Sequence, residues 1–412
     1  MDASTGQECP YLARAWWGER LLAESTASVR IDRTDGPPEL RFPCEDVRVE
    51  LLRQDDGDTW SVDPALGVPP ASDATTWNTE AGAPIDGAAV LTVREGYATF
   101  DHDRVRVELV DAVEGTEARD VTVKRFPTWG DASDLVDILD VRPDGDCSYV
   151  GVARGDHRRP VVEGSQMLAQ AIVAAGRHAP ERRTVSAHMV FMRPADAGQP
   201  LRFDVEELSA GRTFTTLAVH VSQAGRRCAS GTFLLDVVAP DVIRHVIEPP
   251  ATPGPYESKP YDMGVTGRDL RVVDGAYTDD PEAPVGPPMI DAWVRFRDVP
   301  DDPVLHAALL AQFTGHMSIA AALRPHEGIG QRAAHRTLST AINAIAISLH
   351  GDVRADRWML YRHLATFAGD GMTHSECRVH DEAGALLASF TVDAMVRRMD
   401  REPSMVDDRW AM

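Results

Sequence analysis

Lysine is almost missing from this sequence: Lys124 and Lys259 are the only two among 42 basic residues, so the positive charge is nearly all arginine. Arginine's planar fork suits bidentate phosphate contacts, and a simple compositional bias explains the same usage. Cysteine is scarce as well. Cys9, Cys44, Cys147, Cys228 and Cys377 are scattered, and neither CxxC nor HExxH occurs. That argues against a disulfide framework, a metal site or a cysteine nucleophile, and it fits free thiols in a reducing compartment. No apolar run approaches the roughly 20 residues of a membrane span. The opening MDASTGQECPYLARAWW lacks the basic-then-apolar order of a secretory signal. The expectation is a cytoplasmic protein with no membrane span. Positive charge overall is also in deficit, with a net charge of −22 and a pI near 5.0. A field of that sign repels phosphate backbones and disfavours nucleic acid as a partner. It leaves room only for a local basic pocket of the kind a nucleotide-bearing ligand needs.

What is present is ordinary globular material, 43% hydrophobic and 26% charged. At about 150 residues per domain, 412 residues predict two to three domains. Residues 1–128 show short alternating runs cut by turns. Ser28–Ile31, Val47–Leu51, Ala88–Val93 and Val105–Val110 read as half-buried strands, with Gly36-Pro37-Pro38 as a turn. This predicts a small all-β domain. The stretch WWGERLLAESTASVRIDRTDGPPELRFPCEDVRVELL, with the later WSVD and TTWN, resembles a bacterial family of unknown function over about residues 14–125. Trp16, Trp17, Trp60 and Trp77 are either core or the lining of a pocket.

A second layout follows. After Asp134–Leu139 comes a helix over Val161–Gly176, entered through Gly164-Ser165, with Met167, Leu168, Ala171, Ile172 and Ala175 as its apolar stripe. Strands are predicted at Ser186–Met192, Leu201–Leu208, Phe214–Val221 and Ala229–Asp236. Residues 248–288, rich in proline and glycine, read as a linker. The layout then repeats: a strand at Trp293–Phe296, a helix near Leu305–Leu323, and strands at Thr340–Leu349, Trp358–His363, Ser375–His380 and Leu387–Val396. One helix followed by antiparallel strands, twice, indicates an internal duplication. The expected α+β bodies are 129–247 and 289–400, with a tail at 401–412.

From Asp131 to Arg397 the chain resembles the type II acyl-CoA thioesterases. The resemblance rests on HRRPVVEGSQMLAQAIVAAGR, SAHMVFMRPADAGQPLRFDVEELSAGRTFTTLAVHVSQAGR, WVRFRDVPDDPVLHAALLAQFTGHMSIAAALRPHEG, DRWMLYRH and GALLASFTVDAMVR, in family order and spacing. It implies a double hotdog, in which two long helices are each wrapped by an antiparallel sheet and the sheets join edge to edge. It also implies hydrolysis of acyl-CoA to fatty acid and CoA without metal or organic cofactor, and assembly into homo-oligomers.

Thioester hydrolysis requires an activated water and donors for the developing oxyanion. The resemblance implies an aspartate on the second helix, a threonine on a following strand and a glutamine on the last strand. Here those positions carry Gly315, Ile342 and Val392, with Thr340 the threonine candidate if the strand is slipped by two. Substitutes lie nearby. His316 titrates near neutral pH and is a candidate base, or a histidine satisfied in the core. Asn343 is an amide on an apolar strand face, needing a structural or a ligand partner. Asp393 shares a polar face with Ser389 and Thr391, and would need a bulge to reach the site. Glu163 stands where the family usually has an aromatic residue, just before Gly164, Ser165 and Gln166. It is a base beside the backbone N–H groups of a helix start, or a cap for the helix dipole. Gly164, Ser165, Gln166 and Gly315 are the expected substrate-binding positions.

The leading expectation is therefore an acyl-CoA thioesterase with a non-standard site. The alternatives are a catalytically inactive acyl-CoA-binding double hotdog, or a hotdog hydratase or dehydratase of enoyl-CoA. Against the last, the chain lacks the aspartate–asparagine–histidine cluster expected of such hydratases.

Overall fold

The computed structural model describes residues 7–31, 38–63, 90–102, 104–111, 121–126, 130–154, 161–278, 280, 282–334 and 337–399. The chain divides into two units: Met1–Asp131 with Asp262–Thr266, and Ala132–Tyr261 with Gly267–Met412.

The smaller unit is built from a seven-stranded and a four-stranded sheet, with a short parallel pair between Gly130–Asp131 and Val265–Thr266. Alternation along Leu12–Trp17 buries Ala13, Ala15 and Trp17, which pack with Leu22, Leu40, Phe42 and Phe100. Val47–Leu51 is not the expected strand. Tight bonds from Val47 N–H to Cys44 O and from Leu51 N–H to Arg48 O wind single 3-10 turns at Cys44–Asp46 and Val49–Leu51. Val47 keeps one isolated bridge to Ala23. Trp17 is core, whereas Trp60 lines an apolar cavity of about 250 Å³ with Cys44, Val47, Leu91 and Val93. Trp77, Gly36, Pro37, Ala88, Ala89 and the tail 401–412 lie outside the described residues.

The larger unit is one thirteen-stranded sheet with four helices among its described residues. These are α1 (Ala132–Leu139), α2 (Gly164–His178), α3 (Pro303–Phe313) and α4 (Ser318–Leu323). Two runs of antiparallel strands meet where Arg183–Phe191 pairs with Leu338–Leu349, Met189 opposite Ile345. Helix α2 is buried nearly all round, because small residues let neighbours approach closely. At Gly176 a β-carbon would lie 2.9 Å from Val304 on α3. At its C-terminal end Arg177 bridges Asp140 (3.0 Å) and Asp302 (2.7 Å), and Asp302 caps α3 by accepting from Val304 N–H at 2.9 Å.

Two expectations change here. The helix expected near Leu305–Leu323 is broken at residues 314–317, with Met317 left-handed at φ 67°. Pro303–Leu323 is long and apolar enough to cross a membrane by length and composition alone, but it is mostly buried within the unit, as core helices are. The stretch 248–288 carries structure of its own. Lys259–Pro260 and Arg268–Val272 extend the sheet edge beside Met289–Phe296. Trp293 Nε1 donates to Pro253 O at 2.9 Å, and Tyr256 packs edge-on to Trp358.

Candidate active site

The start of α2 and the break after α3 carry the polar groups. Glu163 precedes α2 in extended conformation, and its side chain caps nothing. Its carboxylate instead faces α3: Oε2 lies 3.6 Å from His316 Nε2 and 3.5 Å from Gln312 Nε2. The Gln312 contact sits at the outer limit of a hydrogen bond, while the His316 contact lies beyond it and leaves the buried Nε2 without a hydrogen-bond partner. Glu163 is about half exposed, while the His316 side chain keeps only 12% of its surface. Gln312 is buried, and its Oε1 has no hydrogen-bond partner.

The break fixes His316 through its backbone. Its N–H donates to Phe313 O at 3.1 Å, and its carbonyl accepts from Ser318 N–H at 2.8 Å. The ring centroid lies 4.9 Å from that of Phe313. Burial lowers the imidazole pKa below its ordinary 6.5, opposed by the Glu163 carboxylate and reinforced by Arg268. A neutral imidazole thus faces a carboxylate.

Gly315 adjoins Ser165. A β-carbon there would collide with Ser165 Oγ, lie 2.7 Å from Ser165 Cβ and stand 3.5 Å from Ile342 Cδ1. The space beside Gly315 is thus occupied by the Ser165 side chain from α2. Ser165 is fully buried and its Oγ has no partner. Gly164 is held close too, since a β-carbon would sit 3.0 Å from the Phe191 ring.

The remaining sequence candidates separate. Ile342 faces the break, and Thr340 lies two residues along the same strand face, buried. Asn343 is the extra residue of a bulge: Ile342 pairs with Ala394 and Ala344 with Asp393. The bulge lets Thr340 and Ile342 share the inner face with Ile345 and Ile347, and it leaves Asn343 Oδ1 buried without a partner. Asp393 does not enter the site. The bulge lies on the neighbouring strand, so Asp393 stays opposite buried Val392 and accepts from His374 Nδ1 at 2.6 Å, half exposed. The Gln166 side chain is also engaged elsewhere, donating to Val152 O at 3.4 Å.

Gln312 was missed at the level of sequence, although its i, i+4 spacing to His316 was the available signal. His363 was missed too. It lies between Tyr361 and Ala365 on the buried face of Met359–Gly369. No group of three or more His, Cys, Asp or Glu among the described residues is arranged to hold a metal ion.

A family model of the acyl-CoA thioesterase N-terminal domain matches residues 155–235, and one of the acyl-CoA thioesterase C-terminal domain matches residues 247–396. Together they cover more than half of the chain, which therefore belongs to the acyl-CoA thioesterase family. It is 24% identical to acyl-coenzyme A thioesterase 8 of Mus musculus over 263 residues, 57% of this chain and 79% of that protein. Among solved structures, the acyl-CoA thioesterase II TesB2 of Mycobacterium marinum is 26% identical with a TM-score of 0.55, covering 65% of this chain and 99% of that one. A protein with hot dog fold from Alicyclobacillus acidocaldarius is 16% identical with a TM-score of 0.52, covering 65% and 98%. That likeness is one of fold.

Proposed function

We propose that the protein hydrolyses acyl-CoA to free fatty acid and CoA on a double hotdog, with a small all-β domain before it, at a site relocated to Glu163, Gln312 and His316. The observation that carries this reading is the convergence of those three side chains at the start of α2, where Glu163 Oε2 stands 3.5 Å from one partner and 3.6 Å from the other.

In this reading Glu163 takes a proton from a water that adds to the thioester carbonyl carbon. Gln312 and neutral His316 aim the carboxylate. The oxyanion is met by backbone N–H groups in the first turn of α2, which no side chain caps, at the positive end of the helix dipole. Collapse breaks the C–S bond, and the leaving CoA thiolate takes the proton from Glu163. The products are the carboxylic acid and free thiol. An odd, dispersed set of free cysteines supports a cytoplasmic setting, and the family supports a homo-oligomer.

A second reading has its own observation: at the positions to which the resemblance assigns the family triad stand Gly315, Ile342 and Val392, none of which carries a polar side chain. That favours an acyl-CoA-binding module without catalysis. Release of CoA thiol from short, medium and long acyl-CoAs separates the two. Turnover well above the uncatalysed rate upholds the thioesterase, and saturable binding without release upholds the binding module.

A further inference from the structure

Behind the Glu163–His316 pair, the interior of the second half is unexpectedly polar. Ser318 opens α4 with its Oγ 3.0 Å from His363 Nδ1, and Cys377 Sγ lies 3.6 Å from the same nitrogen. All three residues are at most 3% exposed. The other ring nitrogen, His363 Nε2, has no hydrogen-bond partner, and neither has Ser375 Oγ at 1% exposure. The two groups are diagonal neighbours on one sheet face, since His363 pairs with Cys377 and Ala365 with Ser375.

A run of packed rings connects His316 to this spot. His316 packs on Phe313, Phe313 on Tyr361 (5.0 Å) and Tyr361 on His363 (6.2 Å), with Phe390 at 5.5 Å from the His363 ring. A buried donor or acceptor without a partner is costly and uncommon. Two of them on diagonal positions of one sheet face, joined to His316 by packed rings, point to a partner that brings an oxygen atom on an otherwise apolar group.

We propose that the acyl group taken by this site carries a neutral oxygen, a hydroxyl or a carbonyl, hydrogen-bonded by His363 Nε2 and Ser375 Oγ. The proposal rests on the thioesterase reading and names its substrate class. A plain alkyl chain would leave both groups unpaired. Burial, reinforced by His316, holds the His363 pKa down to about 3, so the ring stays neutral and matches an uncharged oxygen rather than a carboxylate.

The test uses the full chain and matched acyl-CoA pairs of equal length, with and without a hydroxyl at C3 or at the chain end. Both kcat/KM for thiol release and equilibrium affinity are measured. The oxygenated member is expected to win by at least about tenfold, because a site built to hydrogen-bond a substrate hydroxyl rejects the analogue lacking it. Within Ser375→Ala, which removes one oxygen and little volume, and within His363→Phe, the ratio should fall toward unity. Should His363→Phe fail to fold, Ser375→Ala and the wild-type ratio still decide. Equal treatment of every pair by the wild type overturns the proposal and leaves a buried water as the partner of both groups. If no pair is hydrolysed, the thioesterase reading fails, and tighter binding of the oxygenated member still upholds the subsite.

Discussion

At Gly315 and Ser165 the two halves of the larger unit approach so closely that only one of the two positions can carry a side chain. Ser165 has taken the space, and the carboxylate of Glu163 stands at the start of the same helix. Gly315→Asp should therefore cost about 1–3 kcal/mol through overpacking. Ser165→Gly removes both close contacts and should recover part of that loss in the double variant. Urea unfolding of the three variants checks this, and equal stability of Gly315→Asp and wild type would contradict it. Much of the candidate site was legible at this scale. Glu163, Ser165, Gly315 and His316 could be singled out from the sequence because each stands beside a family motif, and the structure brings them together. Asp393 was misleading because strand alternation alone does not say which of two paired strands carries the bulge.

Among the elements, the break between α3 and α4 was the least legible. Leu309, Leu310, Phe313, Met317, Ala320 and Ala321 keep a helical apolar pattern across it, and all are buried. Thr314, Gly315 and His316 lie in the break, and Met317 closes it in the left-handed region. The break matters because it turns His316 toward Glu163 and lets Ser318 reach His363. The start of α3 rests on Asp302, which caps Val304 N–H and pairs with Arg177. Burial opposes ionisation of Asp302, yet Arg177 and the backbone N–H of Val304 hold its pKa below 3.8. Its folded value is depressed, so its stabilisation is present above the unfolded pKa and is lost as pH falls through the folded one. Asp302→Ala should cost about 1 kcal/mol near neutral pH. The difference from wild type should vanish in strong acid, as denaturant midpoints across pH will show. A difference independent of pH would contradict it.

For the whole molecule, the duplicated layout of helix and antiparallel strands could be read from element order alone. The edge strands from 259–272 could not, since proline-rich chain reads as linker even where Pro260 sits in a two-residue edge strand, a position that tolerates it. The larger unit also buries histidines it must keep neutral. Burial lowers the pKa of His306, His316 and His380, and takes His363 to about 3. The unfolded chain protonates them first, so stability should fall as pH drops from about 6.5, by up to about 1.4 kcal/mol per pH unit for each histidine. His363→Leu should flatten that slope. An unchanged slope in this variant would contradict the assignment.

The central claim is that Glu163, aimed by Gln312 and His316, activates the water that attacks the thioester. The most direct measurement is CoA thiol release by wild type, Glu163→Gln and His316→Ala on the best acyl-CoA of the panel. A loss of about 10²–10⁴-fold in kcat for Glu163→Gln, with a substantial loss for His316→Ala, is the predicted result. Turnover left intact in both variants would mean that the site lies elsewhere in the fold.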